Sequence, residues 1–292
     1  RDMEAIRRAL GEGRLNLYMG SYGGVYGQTY ARLFPGRIRT MVLDGTGNHS
    51  GDFDREQDAV AADNAQRMRR FVRWCATDDT CVLHGRDVTA VWRALIADAD
   101  RTPVPVPPSA ARFDGWTLRH LVGGRLVRSG PGDWPQLARD IHAATRGDAS
   151  GFAAAPDRPY PPMPYPISEC REWPRFTSYH QLAGTSARLD RIDPDLGAAA
   201  TMIPFTLTCV NWPVAVHNPP RPLPAPTPPL LGIGTWGDYG GTDRVVGSVP
   251  GGTTIYHDGP GHELYASGNT CVIAHADAYL TTGALPPPRT RC

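Results

Sequence analysis

The residues that could do chemistry in this chain begin with Ser21, set in Gly20-Ser21-Tyr22-Gly23 between two runs of different character. Leu15-Asn16-Leu17-Tyr18-Met19 before it is apolar and β-prone, and Val25 to Phe34 after it reads as a helix. A serine on a sharp strand-to-helix turn has its Oγ held clear of the backbone, which is what a nucleophile elbow requires. Small neighbours are needed there because the two backbones nearly touch. The helix start adds N–H groups and a partial positive charge for a developing oxyanion, with the Tyr22 backbone N–H as one donor. The chemistry would be acyl transfer through a covalent serine intermediate. Gly-x-Ser-x-Gly expects glycine where this chain has Met19, so a tight connection without chemistry explains the short pattern equally well.

A serine needs a base and an acid, and further strands must carry them. Arg39-Thr40-Met41-Val42-Leu43-Asp44-Gly45 reads as a buried strand with Asp44 at its carboxyl end, where open α/β sheets place their sites. Asp44 is either a triad acid or a turn-former. Pro229 to Thr235 reads as another buried strand and Thr253 to His257 as the last. Asp258-Gly259-Pro260-Gly261-His262-Glu263 follows it. A histidine on such a loop can reach a serine with one nitrogen and an acid with the other. His257, at a strand end, is the competing histidine and reads as structural.

Between roughly 49 and 221 the character changes. Helical periodicity runs from Phe53 to Trp74, and further helices are expected near Asp87–Ala99, Trp116–Val127 and Trp134–Thr145. Pro-rich segments at Pro103–Pro108 and Pro156–Pro166 divide this region, and Pro219–Pro229 closes it. Helices without intervening strands inside an α/β chain read as a cap over an active site. Pro159–Pro166, rich in Pro and Tyr, reads as a stiff cap loop rather than a polyproline ligand.

The stretch from Ser21-Tyr22-Gly23-Gly24-Val25-Tyr26-Gly27 through Tyr30-Ala31-Arg32-Leu33-Phe34-Pro35-Gly36-Arg37-Ile38 to Met41-Val42-Leu43-Asp44-Gly45 closely resembles the nucleophile region of secreted actinobacterial tripeptidyl aminopeptidase-like serine exopeptidases. These are α/β-hydrolases related to proline iminopeptidases. The resemblance returns at the C-terminus and in the cysteine placement. It implies an α/β-hydrolase fold with a mostly parallel sheet, a core formed by 1–48 and 222–292, and a mainly helical cap at 49–221. In that family several strands and a Gly-rich oxyanion loop precede the nucleophile. The chain, starting at Arg1, is therefore expected to be part of a longer enzyme whose N-terminal strands it lacks.

The resemblance also implies site residues. Trp236-Gly237-Asp238-Tyr239-Gly240-Gly241-Thr242 is similar to the family's acid loop, and Asp258 to Glu263 to its histidine loop. Ser21, Asp238 and His262 would form the triad, in the chain order of this fold. An ungapped match sets Gly237 where the acid belongs and no proline follows, so Asp44 and Asp243 stay open as acids. Glu169 and Glu172 flank Cys170 where the family shows a cysteine followed by an acid, and they are weak candidates for holding a substrate's α-amine. The six cysteines allow 15 connectivities. The resemblance favours Cys75–Cys81, Cys170–Cys209 and Cys271–Cys292, and with them a secreted, extracellular protein.

Composition narrows the classes. Thirty basic against 29 acidic residues leave a net charge of +1, which points to neither nucleic acid nor an anionic membrane. No apolar run approaches the ~18 residues of a membrane span. Without a Cys-x-x-Cys pair or a His-rich helix, a metal reading is weak. The expectation is a monomer acting on peptide or small acyl substrates without metal or cofactor. The rivals are an esterase with the same triad and a truncated, inactive fragment that at most binds peptides.

Overall fold

The computed structural model describes residues 1–153, 165–174, 176–207 and 209–292. Of the run Pro159–Pro166, expected to form a stiff loop, residues 159–164 lie outside them, and Tyr165 and Pro166 instead begin a helix. The chain divides into two compact units, one formed by 1–56 with 218–292 and the other by 57–217.

The first unit opens with helix α1 (Asp2–Ala9), strand β1 (Leu15–Gly20), helix α2 (Gly23–Leu33) and strand β2 (Ile38–Asp44). Helix α1 is fastened to α2 through Glu4, whose carboxylate accepts from Arg7 Nε at 2.9 Å and from the Tyr30 hydroxyl at 3.0 Å. These donors hold the Glu4 carboxyl down to about pKa 2. Helix α3 (Phe53–Thr77) starts in this unit and crosses into the second.

The second unit is mainly helical: the rest of α3, α4 (Val88–Arg101), α5 (Gly115–Arg128), α6 (Trp134–Ala144), α7 (Tyr165–Glu172), α8 (Tyr179–Ile192) and the short α9 (Ile203–Leu207). Helices α4, α5 and α8 begin at Asp87, Asp114 and Ser178, whose side chains accept from the N–H three residues on. Ala61, Phe176, Leu189, Ala198 and Ile203 form one core cluster, and Phe71, Trp74 and Trp134 pack ring to ring elsewhere in the unit. The expectation of helices without strands is corrected in one place. Strands β3 (Val104–Pro105) and β4 (Arg112–Phe113) form an antiparallel ribbon between α4 and α5. Two-residue strands, one containing proline, leave no alternation to read.

The chain returns to the first unit as strand β5 (Leu231–Gly234), helix α10 (Tyr239–Gly247), strand β6 (Thr253–Tyr256) and helix α11 (Thr270–Thr282). The sheet order is β1-β2-β5-β6, every pair parallel. Such a sheet must be covered on both faces. Met41 and Leu43 of β2 pack in one cluster with Tyr30 and Ala31 of α2 and with Val245 and Val246 of α10. Val42 points the other way, into a cluster with Val272, Ala276 and Tyr279 of α11. Asn269 caps α11 at its start, and Gly283, at φ +78°, ends it.

The limits of the two units differ from the expected 48/49 and 221/222. Arg244 of α10 pairs with Glu56 at 2.7 Å, and Arg32 of α2 donates to the carbonyls of His49 and Arg221 and to Asn218. These bonds keep 49–56 and 218–221 with the sheet. Disulfides join Cys75 to Cys81, Cys170 to Cys209 and Cys271 to Cys292. No helix among the described residues is long and apolar enough to cross a membrane.

Candidate active site

The parallel register sets Gly20 beside Asp44, so Ser21 leaves β1 at the carboxyl edge of the sheet. Ser21 has φ +50°, a conformation that non-glycine residues rarely hold. Its N–H donates to Asp44 O at 2.9 Å, and its carbonyl accepts from Gly24 N at 3.0 Å. The turn is therefore pinned from both sides. A Cβ on Gly24 would run into the Thr46 side chain, and one on Gly20 would meet the Glu263 carboxylate and stand 3.2 Å from the Tyr18 hydroxyl. Met19 is accommodated because its buried side chain lies over Gly27, one turn further along α2 than the motif would suggest. Tyr22 caps α2, with its ring edge-on to Tyr26.

His262 comes from the loop after β6, and its Nε2 lies 2.9 Å from Ser21 Oγ. Its Nδ1 lies 2.7 Å from Asp238 Oδ2. A carboxylate only accepts, so Nδ1 carries the proton and Nε2 faces the serine hydroxyl as an acceptor. Asp238 follows β5, and its other oxygen accepts from Thr235 N at 2.7 Å and lies 3.1 Å from the Thr235 hydroxyl. Directly beneath is Gly45, at φ +64°, where a Cβ would come within 2.7 Å of Asp238 Oδ2 and 2.8 Å of His262 Nδ1. Glycine at 45 lets the Asp–His pair lie on the backbone.

The other candidates are placed elsewhere. Asp44 is 1% exposed, and its carboxylate accepts from Leu264 N at 3.1 Å, Tyr265 N at 2.9 Å and the Tyr18 hydroxyl at 3.0 Å. Burial pushes its carboxyl up to about pKa 6. Asp243 lies against Tyr239, and burial together with that acid raises the Tyr239 phenol to about 12. His257 places Nδ1 3.1 Å from Cys292 O. Glu169 and Glu172 both lie on α7 in the second unit, where burial, reinforced by Glu172, pushes the Glu169 carboxyl up to about pKa 7.

Thr235, Gly45, Tyr18 and Glu263 were not singled out in the sequence. Only Glu263 offered a signal, through its place beside His262. Among the described residues, Cys271, His275 and Cys292 come close enough to share a metal, but the two sulfurs are joined to each other.

A family model described as "alpha/beta hydrolase fold" matches residues 1–146, and one described as "TAP-like protein" matches 195–292. Serine protease Hip1 of Mycobacterium tuberculosis is 25% identical over 100% of this chain and 60% of its own length. The tripeptidyl aminopeptidase of Streptomyces lividans is 29% identical over 97% of this chain and 55% of its own. The putative hydrolase YuaR of Escherichia coli is 35% identical over 51% of this chain and 30% of its own. The chain thus spans 60% or less of the length of these relatives. With one family model matching half its length, and with a covered parallel sheet bearing a serine on its strand-to-helix turn, the chain belongs to the α/β-hydrolase fold family.

Proposed function

We propose that this chain carries the catalytic residues of a serine peptidase that cleaves peptides near their N-terminus, in the manner the tripeptidyl aminopeptidase relatives are named for. The observation that carries the reading is the hydrogen-bonded series Ser21–His262–Asp238, with 2.9 and 2.7 Å between the heavy atoms. In the reaction so proposed, His262 Nε2 takes the Ser21 proton as Oγ attacks the scissile carbonyl. The Tyr22 N–H donates to the oxyanion as charge develops. Asp238, itself steadied by Thr235, holds the tautomer and stabilises the imidazolium. The imidazolium then protonates the leaving amine. A water molecule, deprotonated in turn by Nε2, releases the acyl group and restores Ser21.

Glu169 and Glu172 are the proposed holders of a substrate ammonium. A carboxyl that burial has raised is brought back to its ionised form by a bound cation. The three disulfides support a site of action in an oxidising compartment outside the cytoplasm.

The test compares tripeptide arylamides, single-residue arylamides and short-chain esters on the protein, together with a fluorophosphonate probe. Turnover led by tripeptide arylamides, with the probe on Ser21, is expected. Esters alone turned over would make it an esterase, and labelling away from Ser21 would remove the triad.

A further inference from the structure

Asp44 is the residue through which both reactive ends of the site are fastened to one strand. Its main-chain carbonyl takes the Ser21 N–H. Its side chain takes the N–H groups of Leu264 and Tyr265, the second and third residues after His262. Between His262 and Leu264, Glu263 sits at φ +52°, with its carboxylate lodged against Gly20. We propose that Asp44 is a positioning residue, whose carboxylate ties the histidine loop to the end of β2 and so sets the His262 imidazole between Ser21 and Asp238. The inference rests on the triad reading above.

The chemistry of the position asks for an ionised acid. The groups facing Asp44 at hydrogen-bond distance are donors: two main-chain N–H groups and the Tyr18 hydroxyl. A carboxylate accepts on both oxygens, whereas an asparagine would turn its NH2 toward one of the donors. A neutral turn-former would gain nothing from burying a charge here, since burial of a carboxylate is costly unless its bonds are made.

The charged and titratable neighbours are Tyr18 from β1, Asp238 from the loop after β5, and His262 and Glu263 on the loop itself. Burial, then the nearby Asp238 charge, raises the Asp44 carboxyl, while the three donors oppose that rise; the balance is about 6. An imidazole titrates in the same range. Protonated Asp44 would set an O–H against donors and loosen the loop. Serine reactivity should therefore fall on the acid side with more than one proton, one on His262 and one on Asp44.

The readout is the second-order rate at which a fluorophosphonate modifies Ser21 across the acid and neutral range, which does not depend on knowing the substrate. Asp44→Asn should lower the rate at neutral pH by roughly 10- to 100-fold, as misplacement of about an ångström does. It should also reduce the acid limb to a single proton. Tyr18→Phe removes a donor that stabilises the carboxylate, so it should move the acid limb to higher pH. This second variant decides the matter if Asp44→Asn does not fold. An unmoved limb in Tyr18→Phe, or a wild-type rate and profile in Asp44→Asn, overturns the role of Asp44 and leaves the triad standing. Absence of probe on Ser21 in the wild-type protein overturns the triad, and this inference with it.

Discussion

Met19 and Gly27 share one space across the turn from β1 to α2, where a Cβ on Gly27 would lie 2.8 Å from Met19 Cγ and 3.1 Å from the Met41 sulfur. The glycine that the motif omits at 19 is recovered eight residues later, on the helix. Gly27→Ala should gain up to about 1 kcal/mol in helix propensity and lose about 1–3 kcal/mol to overpacking. The net result should be a destabilised protein. Met19→Ala in the same molecule should relieve the loss. Denaturant unfolding of the double-mutant cycle checks this, and simple additivity would separate the two residues.

The acid of the triad is distinguished by what it touches. Asp238→Asn should cost up to ~10⁴-fold in turnover by favouring the wrong imidazole tautomer. Asp243→Asn, beside Tyr239, should retain activity. Kinetics of the two variants, with circular dichroism to confirm their folding, compare them directly. Equal losses would mean that the Asp238–His262 bond at 2.7 Å is not the one catalysis uses.

Gly45 is expected to be intolerant of any side chain, for two reasons that act together. Its φ of +64° strains an alanine, and the added Cβ would press on both Asp238 and His262. Gly45→Ala should lower turnover far more than it lowers the unfolding midpoint. Gly36→Ala, where nothing lies within 4 Å and φ is not positive, serves as the neutral control.

Glu169 predicts a pH dependence of stability with an unusual sign for a carboxylate. Its folded pKa, about 7, lies above its ordinary 4.5. Between these values the folded state holds a proton that the unfolded chain has lost, so stability falls as pH rises through that window. Glu169→Gln removes the titration. The variant should gain stability over wild type above pH 7 and match its pH trend below 4.5. Urea unfolding at both ends of the window reads the difference, and a constant offset would argue against a buried, titrating carboxyl.

What could be read from the sequence was whatever leaves a local mark. Ser21 and His262 stand on turns whose glycines and proline announce them, and the structure brings them within a hydrogen bond. Strands β2, β5 and β6 are β-prone stretches bounded by turn residues, so their existence was legible. Asp238 was ambiguous because Gly237 and the missing proline blur its loop, and only its contact with His262 separates it from Asp44. Thr235 and Tyr18 left no mark, since their parts depend on neighbours distant in the chain. Arg32 and Arg244 moved the unit limits for the same reason, through partners that no spacing rule reveals.

Val42 of β2 pairs with Leu231 of β5, so strands that touch are separated by the whole second unit. Closing so long a loop costs only slightly more free energy than closing a short one, because the penalty grows with the logarithm of length. It does slow the search, since non-local pairings are the late events of folding. The consequence is temporal. During synthesis Ser21 emerges before His262, and the histidine that would activate it follows 241 residues later. Until β6 joins the sheet edge, the serine has no base beside it, and a growing chain carries an idle nucleophile.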